Sequence, residues 1–183
     1  MLFTLRRLIF PVAILLCLSS EAQYHFNFSK GCADAYHKII SLQLEPGRKM
    51  LEAEKIKDPH NLIPGLLESY IDFFYLFFNE DPELYASFKQ KQQQRQLMID
   101  KGPDDSPYKL YARSVVNMHL AAAQIKFGNH WDAGWSFRRY YLNNKSNLNK
   151  FPGFTPSALH LGTMEVAIGA VPDGYKWVTS LLG

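Results

Sequence analysis

Lys126-Phe127-Gly128-Asn129-His130-Trp131-Asp132-Ala133 decides how this chain folds back on itself. Ahead of it Leu110, Tyr111, Val115, Met118, Leu120, Ala121, Ala122, Ile125 and Phe127 recur at helical spacing. Behind it Trp131, Trp135, Phe137, Tyr140 and Tyr141 begin a second stripe. Two helices joined by so short a connection lie side by side as an αα-hairpin. Gly128 supplies the hinge, since a residue without Cβ allows either a positive φ that ends a helix or a close backbone approach.

Outward from this hairpin, helical stripes alternate with proline and glycine punctuation, and no sustained period-two segment interrupts them. Gly31 to Gln43 reads as a first helix, stopped by Glu45-Pro46-Gly47, and Arg48 to Lys57 as a second, ended by Asp58-Pro59. Asn61 is placed to cap a third, with Pro64 tolerated in its first turn, that runs through the apolar block from Leu66 to Phe78. Asp81-Pro82, Ser106-Pro107 and Thr155-Pro156 each set an N-cap side chain before a proline at the first helical position, and so start the fourth, fifth and seventh helices. The fourth persists to Lys101-Gly102-Pro103. A sixth is expected from about His130 to Asn143, and Asn143-Asn144-Lys145-Ser146-Asn147 with Pro152-Gly153 reads as the one substantial loop. Pro172-Asp173-Gly174 separates the seventh helix from a short eighth that includes Trp177. Eight helices in about four antiparallel hairpins make an all-α, α-solenoid pattern. Its hairpins are unequal in length, so the repeats are degenerate rather than regular.

The amino terminus speaks to compartment. Arg6 and Arg7 precede an almost wholly apolar run from Leu8 to Leu18, and Ser20 and Ala22 stand three and one residues before a cut ahead of Gln23. These are the zones of a cleavable secretory signal peptide over residues 1–22. The apolar run is shorter than the ~20 residues of a membrane-spanning helix, and Pro11 interrupts it. Cys17 as the acceptor of a lipoprotein signal is the competing reading. Against it, Leu16 stands where that motif requires a small residue.

Loss of Arg6, Arg7 and Glu21 with the leader takes the net charge from +3 to +2. So balanced a chain, with no polybasic run, argues against nucleic acid as a partner. The stretch Lys89-Gln90-Lys91-Gln92-Gln93-Gln94-Arg95 reads as the solvated face of a polar helix. Once Cys17 leaves, Cys32 is the remaining cysteine and no internal disulfide forms, so stability must come from burial within residues 23–183.

Several segments together carry a family resemblance. They are Ile40-Ser41-Leu42-Gln43 with Gly47-Arg48, Glu54, Pro59-His60-Asn61-Leu62 and Phe77-Phe78-Asn79-Glu80-Asp81-Pro82. Further on come Ile125-Lys126-Phe127-Gly128, Gly134-Trp135-Ser136-Phe137-Arg138-Arg139 and Pro172-Asp173-Gly174-Tyr175-Lys176-Trp177. With them the mature chain resembles a family of exported, uncharacterised tetratricopeptide-repeat (TPR) proteins of Gram-negative bacteria. The turn at Gly128 is similar to the turn of such a repeat. The resemblance implies an all-helical repeat protein and brings no catalytic residue and no cofactor. Members look longer than this chain, which ends on Leu181-Leu182-Gly183 without the polar capping helix a solenoid needs. The chain therefore reads as an amino-terminal fragment whose last apolar stripe, from Tyr175 to Leu182, awaits a further hairpin.

Chemistry-bearing residues meet plainer alternatives. Glu68 and Asp72, four apart on one face of an otherwise apolar helix, could share a metal or split into an acid/base pair. The plainer reading pairs them with Arg or Lys of a neighbouring helix. His119 and His160 lie on helical stripes, but no histidine pair has the spacing of a helical zinc motif, so no metal is assigned. Ser114, Ser136 and Ser180 lack a glycine-elbow context. Cys32, near a helix start where its pKa could fall, lacks an evident base. Trp131 and Trp135, with Arg138 and Arg139 three and four positions on, could stack aromatic and guanidinium groups for a peptide carboxylate or aromatic side chain, with His119 on the adjoining helix. Packing between hairpins is the competing role. The apolar third helix, too charged at Glu68 and Asp72 to span a bilayer, is either covered on most sides or docks on a membrane or a missing half. The expectation is a non-enzymatic scaffold with a protein or peptide partner, periplasmic or peripherally associated with the outer membrane. Alternatives are an enzyme using Glu68 and Asp72, or a small-molecule binder between hairpins.

Overall fold

A computed structural model describes residues 23–170 and 173–176. The expected signal peptide at 1–22, Trp177 and the rest of the expected eighth helix, and the last apolar stripe beyond Lys176 lie outside the described residues. Among the described residues the chain is all-helical: α1 (Lys30–Ile40), α2 (Leu44–Lys57), α3 (Ile63–Asn79), α4 (Pro82–Asp100), α5 (Pro107–Lys126), α6 (His130–Lys150) and α7 (Thr155–Gly169), then a single 3-10 turn at Asp173–Tyr175. No described helix is long and apolar enough to cross a membrane.

The proline signals place their helices as expected. Asp81 accepts from the Glu83 N–H at 2.8 Å and Ser106 from the Tyr108 N–H at 3.3 Å, each ahead of a proline in the first turn. Gly128 has φ +77° and ends the fifth helix. Two boundaries differ from the sequence reading. The first is Glu45-Pro46-Gly47, which does not stop a helix but lies in the first turn of α2. There the missing proline N–H costs nothing, since first-turn donors have no intrahelical partner. Gly47 is buried, and a Cβ on it would stand 2.6 Å from Ile39 Cγ1, so glycine is what lets α2 approach α1 so closely.

The second difference is larger. The asparagine-rich stretch after Tyr141 is not a loop but two more turns of α6. Asn144 and Asn147 are fully buried. Ser114 of α5 donates to Asn144 Oδ1 at 3.2 Å, and Asn147 Nδ2 donates to the Pro107 carbonyl at 2.9 Å and to Ser157 Oγ of α7 at 2.8 Å. These bonds across helices outweigh the weak helix propensity of the asparagines, and the chain turns only at Pro152-Gly153, the other part of the expected loop.

Neighbouring helices pack in pairs, α1 on α2, α3 on α4, α5 on α6 and α6 on α7, and α3 also touches α1, α2 and α5. The main core follows from that centrality. Ile63, Leu66, Leu67, Tyr70 and Ile71 of α3 interlock with Ala35 and Ile39 of α1, Leu51 of α2, Ile99 of α4 and Val115 and Val116 of α5. Each such aliphatic side chain contributes roughly 1.5–3 kcal/mol by leaving water. A smaller cluster of Leu76, Tyr85, Phe88 and Ala123 closes the Gly128 end, where Tyr85 stacks on Phe127 at 4.4 Å.

Ahead of α1 an extended segment is stitched to the α2–α3 connection. His25 N donates to the His60 carbonyl at 3.0 Å and accepts from Leu62 N at 2.8 Å through its own carbonyl. The buried Asn61 side chain accepts from Asn27 N and Ile63 N and donates to the Asn27 carbonyl. Asn61 therefore caps α3 from one position further out than expected, since Leu62 is the N-cap residue.

Gly128→Val should lower stability by about 1 kcal/mol or more, because nothing crowds the site and the cost is that of a β-branched residue at positive φ. Urea denaturation of the two proteins checks it. An unchanged midpoint would place the hinge elsewhere.

Candidate functional site

Gly65, Glu68 and Asp72 fall on one stripe of α3, and that stripe opens into a cavity of about 550 Å³ between α2, α3 and α4. Leu62, Leu66, Met98 and Ile99 give it an apolar floor, and Arg48, Lys55, Lys91 and Arg95 bring four cations to its walls. The two acids that sequence alone singled out are thus neighbours here, but neither faces the cavity unpaired. Lys55 reaches Glu68 at 2.7 Å. Asp72 is gripped by Arg95, with Lys91 at 3.4 Å and Arg48 at 4.0 Å. Arg95 is further fixed by donating Nε–H to the Gly65 carbonyl at 3.2 Å.

Lys91 and Arg95 come from the polar stretch that reads as a solvated helix face. The stretch is largely solvated, with Lys89, Gln90, Lys91, Gln93 and Gln94 exposed, but its other face turns inward: Gln92 is fully buried and the Arg95 side chain is 14% exposed. Gln92 belongs to a polar knot in the core. Ser69 donates to Gln92 Oε1 at 2.9 Å, and its hydroxyl lies 2.8 Å from His119 Nδ1, which ties α3, α4 and α5 together. Since the single serine proton goes to Gln92, His119 carries its own proton on Nδ1 and donates it to Ser69. A serine–histidine contact of this length resembles the start of a nucleophile arrangement. Here it is sealed, with Ser69 and His119 at 0% and 1% exposure. His119 stacks on Phe73 at 4.8 Å and meets the edge of Tyr70 at 4.5 Å. Burial and the charge of nearby Arg95 push its pKa down to about 3.

The structure brings Trp131 and Trp135 together, edge to face at 6.1 Å and respectively 62% and 39% exposed. Arg138, half-buried on the next turn, follows them on α6. Arg139 turns the other way, donating to Asn117 Oδ1 of α5 and to Ser136 Oγ, both at 3.0 Å. His119 is in the core and does not join them. Cys32 is buried and free, and burial pushes its thiol pKa up, so the lowered value a helix start suggested does not arise. Among the described residues no group of histidine, cysteine or acidic side chains is placed to hold a metal.

Sequence reasoning missed a second cavity, of about 320 Å³, among α1, α3, α5 and the start of α7. Phe28, Tyr36, Tyr70, Tyr108, Tyr111 and His160 line it, with Leu67, Pro156 and Leu159. Phe28 stacks on Tyr108 and meets Tyr36 edge-on, and Tyr36 meets Tyr70 in the same way. Burial raises the pKa of Tyr70 well above its ordinary value and that of Tyr111 to about 12, so these hydroxyls stay protonated donors. The tyrosines were visible as single helical positions, but nothing local shows that three helices aim them at one space. Comparison with protein-family models, with curated proteins and with solved structures finds no match.

Two measurements check these assignments. Asp72→Asn should cost roughly 3 kcal/mol, because it leaves the buried Arg95 charge without its partner. Glu68→Gln, facing a half-exposed Lys55, should cost less than about 1 kcal/mol. Equal losses on urea denaturation would contradict the pairing. For His119 the unfolded chain takes up a proton near pH 6.5 while the folded chain refuses it until about pH 3. Stability attributable to this histidine is therefore lost as pH falls through that window. His119→Gln should flatten the loss between pH 7 and pH 4 by about 3 kcal/mol, and an unaltered acid limb would mean that the ring is not sealed.

Proposed function

We propose that this chain is an exported, TPR-like stack of helical hairpins that serves as a protein-interaction scaffold in the bacterial envelope. Its partner's extended segment lies in the aromatic cavity. One observation carries the reading: α1, α3 and α5, the first helices of successive hairpins, touch in series, and a single cavity lined by their aromatic side chains opens among them. A stack of hairpins presents such an inner surface to ligands, and rigid aromatic rings at its centre supply binding contact at low entropic cost. The partner is a protein or peptide, not nucleic acid, and no cofactor is needed. The hydrolytic alternative gains no support from Glu68 and Asp72, since basic side chains already engage both.

The leader should be removed after Ala22, leaving Gln23 as the new terminus, in the periplasm or at the inner face of the outer membrane. Amino-terminal sequencing of the exported protein checks this, and a lipid-modified Cys17 would sink the soluble form. Affinity capture of the exported protein tests the scaffold. Paired Tyr36→Ala and Tyr108→Ala substitutions should release a co-purifying partner at least about tenfold, whereas Trp131→Ala with Trp135→Ala should retain it. Retention by the tyrosine variant, or no partner above a tag control, would overturn the proposal.

A further inference from the structure

We infer that the cavity between α2, α3 and α4 is a second ligand site, separate from the aromatic one, and that it takes a carboxylate attached to an apolar body. The charges around this cavity do not balance. Lys55 and Glu68 form a one-to-one pair at 2.7 Å. Asp72 faces the other three cations, one of which, Arg48, also has Glu45 nearby. Arg95 suffices for it, since both side chains are nearly buried, 14% and 10% exposed, and the guanidinium is held in place by the Gly65 carbonyl.

Lys91 and Arg48 both converge on Asp72 Oδ1, but at 3.4 Å and 4.0 Å. These are longer than the ~2.7–2.9 Å of a charge-assisted hydrogen bond. Glu45 lies 3.6 Å from Arg48 Nε, yet its carboxylate is 69% exposed and solvent screens it. Lys91 and Arg48 therefore keep donors to spare, three on an ammonium and five on a guanidinium. The Lys91 and Arg48 side chains are partly exposed, at 52% and 32%, so their spare donors leave a positive potential on the open side of the cleft that a second carboxylate would neutralise.

The floor adds the other half of the specificity. Leu62, Leu66, Met98 and Ile99 lie beneath these charges. A small inorganic anion would leave them wet, and a neutral hydrocarbon would leave Lys91 and Arg48 uncompensated. An amphiphilic carboxylate satisfies both, and a volume of about 550 Å³ has room for it. Such a group occurs on a medium-chain fatty acid and at the carboxyl terminus of a peptide ending in aliphatic residues.

Calorimetry on the exported protein separates these sources and tests the site. The probes are octanoate against octanol and acetate, and N-acetyl-trileucine as free acid against its amide. Expected is that at least one carboxylate binds about tenfold or more tightly than its neutral counterpart, that octanoate outbinds acetate, and that added salt weakens the binding. Preference for octanoate names a lipid-derived ligand and preference for the tripeptide acid a peptide terminus. Arg48→Gln with Lys91→Gln should reduce the affinity at least about tenfold with the thermal midpoint held, and each single substitution, if the pair unfolds, by a smaller step. Tyr36→Ala with Tyr108→Ala should leave carboxylate binding untouched, so failure of the partner scaffold and failure of this site are told apart. Equal binding of acid and neutral probes, equal binding of acetate and octanoate, no binding of any probe, or full affinity in the Arg48/Lys91 variants would each overturn the inference.

Discussion

Where four other helices cover one helix, little solvated face is left for its polar residues, so each of them there must find its partner inside the protein. α3 is in that position, in contact with α1, α2, α4 and α5. An unpaired buried charge costs several kcal/mol, and a buried hydroxyl without a partner about 1–3. Glu68, Ser69 and Asp72 are therefore constraints on everything around them. Glu68 selects Lys55 on α2, Ser69 selects Gln92 on α4 and His119 on α5, and Asp72 selects Arg95 on α4. Apolar packing alone would let these helices slide by a turn with little loss. Four directional bonds to three different neighbours do not.

The same helix divides the space beside it by chemistry. Gly65, Glu68 and Asp72 recur at three and four residues and so form one stripe, while Leu67 and Tyr70 form another. The first stripe looks into the cationic cavity and the second into the aromatic one, and Leu66 between them borders both. Two spaces of opposite character thus lie back to back across a single helix. A substitution at Leu66 would touch both, whereas Tyr36 and Lys91 each belong to one.

How much of this was legible in the sequence depended on whether the signal was local. Asp81-Pro82, Ser106-Pro107 and Gly128 fix helix ends through their own backbone chemistry, and the structure has helices beginning or ending there. Pro46-Gly47 and Asn144 to Asn147 were misjudged for a shared reason. Their propensities favour a turn, but contacts with residues far along the chain decide otherwise: Ile39 against Gly47, and Pro107, Ser114 and Ser157 against the asparagines. The candidate site divides in the same way. Glu68 and Asp72 are visible as lone acids in an apolar run, since charge there demands an explanation. Which of the chain's many cations answers them is set by how α2 and α4 pack on α3. Trp131 and Trp135 are likewise neighbours by spacing, while Arg139, at an equally favourable spacing, turns to Asn117 instead.

Asp72 also shows where stability and function part. One guanidinium is enough to offset one buried carboxylate, and each further cation brought to it gains a shared attraction while repelling those already present. A domain selected for stability alone would keep Arg95 and replace Lys91 and Arg48 with neutral side chains, since natural proteins hold locally unfavourable arrangements chiefly where activity requires them. Lys91 and Arg48 stand on different helices and converge on one oxygen, Oδ1, Lys91 at 3.4 Å and Arg48 at 4.0 Å. Both cations line the cavity before any ligand arrives, and a bound carboxylate gains the attraction without the cost of assembling the cations that supply it.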